Sequence, residues 1–194
     1  MNMSLKSSWV LWQNDNNDSN IRSWEKDNSK VGEFSMIPQF LYMCDEIVRV
    51  RVENLRPMNL FKNGIKPMWE DEANVDGGRL ILDIPVLTQV DLNEIWKMTM
   101  ILCVSNSIDN ICGCVFNEKQ SVYKISIWFG RDYNQDMIKE MWEKILGSIN
   151  LPIYSFLHKK SLDNTKGGKK KWGGKREKYR SIHEEHEYVT RTLQ

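Results

Sequence analysis

Ile111-Cys112-Gly113-Cys114-Val115-Phe116 and Tyr123-Lys124-Ile125-Ser126-Ile127-Trp128-Phe129, joined through residues 117–122, are the two runs that settle the architecture. Both are short, rich in β-branched and aromatic residues, and close together, which predicts an antiparallel hairpin. In the second run Tyr123, Ile125, Ile127 and Phe129 alternate with Lys124, Ser126 and Trp128. Successive side chains of a strand point to opposite faces, so Lys124 and Trp128 share one face and the apolar set takes the other. Working outward, Trp9 to Gln13, Arg79 to Ile84 (entered through Gly77-Gly78) and Ile153 to Leu157 read as further strands.

Three helices interrupt these strands. Ile37, Phe40, Leu41, Cys44 and Ile47 recur at helical spacing, with Ser35 as the expected cap and Pro38 in the first turn. Asp91-Leu92-Asn93-Glu94 reads as a capping box opening a helix whose core stripe is Leu92, Ile95, Trp96, Thr99 and Cys103. Met137, Ile138, Met141, Trp142, Ile145 and Leu146 form the third, closed by Gly147. Strands broken by separate helices predict the α+β class, with helices on one face of an antiparallel sheet.

The 194 residues suit one domain with a tail. Apolar residues make up 41% of the chain and run through the first 158 positions, enough for a core. The net charge of +1 hides an asymmetry: residues 1–158 carry −5, residues 159–180 carry +8. We therefore expect a domain over 1–158 and a basic tail over 159–194, the latter low in complexity around Gly167 to Arg176 and unlike a packing sequence. No apolar run approaches the roughly 20 residues of a membrane span, and the first residues carry no apolar signal region. Cys44, Cys103, Cys112 and Cys114 lie in apolar stretches without zinc spacing, so they are expected to be reduced core residues of an intracellular, cytoplasmic protein. His183 and His186 lack a third ligand at suitable spacing, and neither a metal nor another cofactor is expected.

Asn63-Gly64-Ile65-Lys66-Pro67-Met68-Trp69-Glu70-Asp71-Glu72 carries the chemistry. A turn and a proline precede a tryptophan followed at once by three carboxylates. An indole face attracts a flat cation with about 0.5–2 kcal/mol. An adjacent carboxylate accepts two parallel N–H donors more strongly than a neutral group does.

This segment resembles the signature of the translation initiation factor 4E family, which binds the 7-methylguanosine cap of messenger RNA. Other landmarks follow in the family's order: Trp9 and Trp12, Ser23-Trp24, the Phe40-Leu41 helix, Leu60 to Glu72, Gly77-Gly78-Arg79, Asp91-Leu92 with Trp96, Cys112-Gly113, and Lys124 to Trp128. The resemblance spans roughly Trp9 to Leu157. It implies a curved sheet with three helices on its convex face and a cap-binding slot on the concave side. It further implies that Trp24 and Trp69 sandwich the methylated guanine, that Glu70 accepts the guanine-edge donors, and that the Trp69 backbone N–H meets the ring carbonyl. Trp128 would line the methyl group. Lys119 and Lys124 would hold the phosphates, with Arg79 as an ordering arginine. Lys119 stands where the family usually has arginine and loses its two-pronged geometry. The basic segment 159–180 would either track RNA backbone, with Trp172 stacking on a base, or stay a solvated tail.

The family's second surface docks a helix of scaffold factor 4G or of repressors. Here it maps to Leu5, Ile37, Leu41, Lys97 and Ile101, with Leu41 replacing the usual tryptophan and Lys97 an apolar residue. The expected function is cap binding that recruits messenger RNA to the ribosome through a scaffold; the alternative is a cap-binding repressor that does not. A cap-processing enzyme would need several carboxylates holding metal; Glu70-Asp71-Glu72 and the acidic body are the only candidates, and no spaced Glu motif supports it. A methyl-lysine reader would reuse the aromatic cage. No catalytic residue is expected.

Overall fold

The computed structural model describes residues 3–14, 28–50, 57–105, 108–119, 121–131, 134–147, 149 and 151–158. Trp24, Trp172, His183, His186 and the rest of the basic segment lie outside them. The chain divides into two units, Met1–Ser161 and Leu162–Gln194. In the first, the elements run β1 (Ser4–Asn14), β2 (Asn28–Met36), α1 (Ile37–Val50), β3 (Met58–Lys62), β4 (Gly78–Pro85), α2 (Leu92–Val104), β5 (Ile111–Lys119), β6 (Val122–Phe129), α3 (Gln135–Leu146) and β7 (Ile153–Leu157). The strands form one seven-stranded sheet in the order β2-β1-β3-β5-β6-β4-β7, every neighbouring pair antiparallel. The α+β expectation holds. The sequence reading missed β2 and β3. In β2 only Phe34 is buried, so it has no apolar alternation to betray it and is held as an edge strand by backbone pairing to β1.

The core lies between the sheet and the helices. Leu80, Leu82 and Ile84 of β4 and Ile125, Ile127 and Phe129 of β6 face Trp96, Trp142 and the buried stripes of the helices. The predicted stripe of α2 is buried throughout, and Asp91 caps it by accepting from the N–H groups of Asn93 and Glu94. At α1 the expectation was wrong. Ser35 is the penultimate residue of β2, and the Gln39 side-chain oxygen instead accepts from the N–H groups of Ser35 and Met36 at 3.2 Å each. A longer side chain reaching back from the first turn does the work of the cap. Gly147 closes α3 in the left-handed region, φ 64°. All four cysteines are buried free thiols, and burial pushes Cys44 and Cys112 up to about 12, which keeps them unreactive.

Inside the helix layer the Trp142 indole N–H donates to Thr99 Oγ1 at 3.0 Å, and that hydroxyl donates to Ile95 O at 2.8 Å. Thr99 and Trp142 are fully buried, so the hydroxyl satisfies a donor that water cannot reach. Thr99→Val should keep the shape, orphan the indole N–H and cost about 1–3 kcal/mol. Urea unfolding should report this as a lower midpoint at unchanged slope.

Candidate functional site

The sheet face away from the helices carries a second, smaller apolar cluster: Phe61, Cys112 and Trp128, with Ile65, Trp69, Ala73 and Val115 packed against it. Register builds it. Phe61 pairs with Gly113, Gly113 with Trp128, and Trp128 with Arg79, so one row crosses β3, β5, β6 and β4. Gly113 has no side chain to part its neighbours, and the Phe61 and Trp128 rings meet edge-on at 5.6 Å. A Cβ at Gly113 would lie 2.5 Å from the Phe61 ring.

Trp69 reaches this row from the 63–77 loop, which its own polar groups shape. Gly64 turns the chain at φ 90°, a conformation costly for other residues. The Asp71 carboxylate accepts from Lys66 N–H at 2.9 Å and Ala73 N–H at 3.0 Å. The fully buried Asn74 amide donates to Lys66 O at 2.8 Å and Met68 O at 2.9 Å. Residues 66–68 are thus held from both sides, and Trp69-Glu70 is the apex. Trp69 is half-buried, Glu70 exposed. Among the described residues the Trp69 backbone N–H makes no hydrogen bond.

Three further groups meet the indoles. The Arg79 guanidinium lies 5.3 Å from the Trp69 ring and 5.7 Å from the Trp128 ring, within cation–π range of both. The His158 imidazole stacks on Trp69 (6.2 Å, 16°) and lies 4.5 Å from Trp128. Its Nδ1 is 2.8 Å from Asn74 O, a carbonyl that can only accept, so Nδ1 carries the proton. Burial, together with the Arg79 charge, lowers the His158 pKa, and the imidazole is neutral at physiological pH. The Trp128 indole N–H donates to Ser126 Oγ at 3.3 Å.

Trp69, Arg79 and Trp128 therefore come together, with Glu70 exposed next to Trp69 in the loop. Lys124 shares their face, two side-chain rungs along β6, but it is not a free cation. It is bonded by both oxygens of its cross-strand partner Asp83, at 2.7 and 2.8 Å. Lys119 sits exposed at the end of β5 and has no ion-pair partner among the described residues. Trp24 lies outside the described residues. Sequence reasoning missed Asp71, Asn74, Asp83 and His158. The Asp71 bond to the N–H two residues on is a local turn signal that could have been read; the Asn74 side chain closes the loop over six to eight residues, and Asp83 and His158 act across the fold.

The second residue set lies on the helices and beside them. Ile37 N–H donates to Met3 O at 2.8 Å, so the start of β1, with Leu5, adjoins the start of α1. Ile37 and Leu41, one helical turn apart on α1, are 39% and 47% exposed, unlike Phe40, Cys44 and Ile47. Lys97 and Ile101 follow each other on one stripe of α2. The Lys97 charge acts on the Cys44 thiol, which places it at the α1–α2 seam.

Among the described residues no three His, Cys, Asp or Glu side chains are placed to hold a metal ion, and no helix is long and apolar enough to cross a membrane. The family model of eukaryotic initiation factor 4E matches residues 4–173. Eukaryotic translation initiation factor 4E1 of Drosophila melanogaster is 30% identical over 151 residues, covering 76% of this chain, which spans 58% of that relative's length. The fold resembles C. elegans eIF4E-3 in complex with the 4E-binding protein Mextli (TM-score 0.71, 28% identity, 83% of this chain and 96% of that one). It is equally similar to Ascaris suum eIF4E-3 with m7G cap (TM-score 0.71, 28% identity, 81% and 92%). With the same sheet, the same three helices and the Trp-Glu apex set beside a strand tryptophan, this chain belongs to the eukaryotic initiation factor 4E family.

Proposed function

We propose that the protein binds the 7-methylguanosine 5′ cap of messenger RNA and supports translation initiation, bringing messenger RNA to the ribosome through a scaffold of the factor 4G kind. The observation that carries this reading is the Trp69-Glu70 apex, held by Asp71 and Asn74 beside Arg79 and Trp128. Trp69 supplies one face of a stack for the alkylated, positively charged purine, and Trp24 is assigned the other. Glu70 accepts the two N–H donors of the guanine edge, which adenine and pyrimidines lack. The unbonded Trp69 N–H suits the ring carbonyl, and Trp128 lines the methyl group. Lys119 and Lys124 face the phosphates, and Arg79 braces the indoles. This is recognition without bond making, so the protein is a binding factor rather than an enzyme. Residues 1–158 form the cap-binding domain and 159–194 a basic tail, of which the segment 159–180 follows the RNA backbone. The protein works in the cytoplasm, where capped messages are translated.

Partner binding belongs to Leu5, Ile37, Leu41, Lys97 and Ile101. A second reading, a cap-binding repressor that does not recruit the scaffold, draws on one observation: position 41, exposed one turn after Ile37 on α1, carries a leucine rather than a tryptophan. Hot spots favour tryptophan and tyrosine over leucine.

Titration with a 7-methylguanine nucleotide should quench tryptophan fluorescence, and Trp69→Ala should cost about 1–3 kcal/mol, one base–aromatic stack. An intact fold with no quenching excludes cap binding. Glu70→Gln should weaken binding of the same nucleotide while leaving the unfolding midpoint in place, because the amide loses charge and turns a donor toward a donor.

For the partner surface, calorimetry with a scaffold-type helical peptide separates the two readings. Leu41→Trp should tighten that peptide by about 1–2 kcal/mol, the scale of one aromatic anchor, and leave cap affinity unchanged. Native protein that binds the peptide as tightly as the variant removes the repressor reading.

A further inference from the structure

The Asp83–Lys124 pair sits on the face that carries Arg79 and Trp128, at the edge toward the β5–β6 hairpin. Arg79, Ile81 and Asp83 of β4 stand opposite Trp128, Ser126 and Lys124 of β6, and Asn117 of β5 flanks Lys124 on its other side. Both Asp83 oxygens hold the ammonium at 2.7 and 2.8 Å, and the two side chains are about one-third exposed. Neither is buried enough to be structural filler, and neither is remote from the ligand that the proposed function places here. A phosphate chain lying along this rim meets Lys124 with its charge already matched. It also meets a carboxylate that repels it.

We propose that Asp83 is a specificity-determining counter-charge of the nucleotide site: by neutralising Lys124 it suppresses the contribution of the cap's phosphates, so that the methylated base, more than the phosphate chain, decides binding. This rests on the cap-binding reading and adds to it a residue of this chain's own. Like charges at short range oppose each other even near a protein surface, and an exposed ion pair is weak enough to be reopened by a stronger competitor. The phosphates are therefore admitted, but the gain per added phosphate is small while Asp83 is ionised. Lys119, without such a partner among the described residues, keeps its share.

The test compares the full native chain with Asp83→Asn and Asp83→Thr in fluorescence titrations against 7-methylguanosine and its mono-, di- and triphosphates. Asp83→Asn keeps the shape of the side chain, and thermal unfolding checks that both variants are folded. The expected result is a graded gain. Affinity for 7-methylguanosine stays within about twofold of native, whereas triphosphate affinity rises roughly three- to tenfold in both variants, the scale of releasing one partly exposed charge. The salt dependence of triphosphate binding steepens as well, because Lys124 now displaces counterions. Adding Lys124→Ala to Asp83→Asn should remove the gain, and a gain that survives without Lys124 overturns the proposal. Phosphate increments that are unchanged or reduced in both variants, with 7-methylguanosine still bound, overturn it alone. Failure of native protein and variants to bind any of the four ligands overturns it together with the cap-binding reading.

Discussion

The pairing of Arg79 with Trp128 across β4 and β6 is the constraint on which the rest depends. Side chains alternate along a strand, so a slip of one residue in this register would turn one of the two strands over relative to the other. Either Leu80 and Leu82 would then leave the helix layer and Arg79 enter it, or Ile125 and Ile127 would leave and Trp128 and Lys124 enter. Burial of the apolar set against Trp96 and Trp142 excludes that slip. The large core on one face thereby places the small cluster on the other, and the ligand face inherits its geometry from packing in which it takes no part.

On that base the site is assembled from two kinds of support. The strand residues are held by register. The Trp69-Glu70 apex, on a loop, is held by hydrogen bonds: the Asp71 carboxylate accepts from two backbone N–H groups, and the buried Asn74 amide donates to two carbonyls. Asn74 O in turn accepts from His158 Nδ1 and from Gly77 N–H, which ties the loop to the start of β4 and the end of β7. A ligand that stacks on Trp69 therefore meets a surface already ordered, so less of its binding energy goes into arranging the protein.

Electrostatically the face is restrained. Arg79 is spread over two indoles, Lys124 is matched by Asp83, and His158 is kept neutral by burial and by Arg79. Among the described residues the Glu70 carboxylate beside the Trp69 indole has no ion-pair partner, and such a pairing suits a flat cation with two donors. On the helix side, the exposed Ile37 and Leu41 and the seam lysine Lys97 form a separate apolar stripe with one cation, so the two surfaces can vary independently.

The sequence by itself determined the elements whose signals are local. The alternation in residues 123–129, the Asp91 cap, the stripe from Leu92 to Cys103 and the Asn63-Gly64 turn are each written in consecutive residues, because strand pleat, helix period and capping act over a few positions. Joint occurrence of Trp69-Glu70, Arg79, Lys124 and Trp128 also pointed to the face they share. Only the tertiary structure decided what meets what. The edge strand β2, the bond between His158 and Asn74 O and the Asp83 carboxylate on Lys124 all depend on residues brought together by pairing and burial. Such contacts are non-local: Asp83 and Lys124 are neighbours because two antiparallel strands align in one register, and no spacing along the chain records that.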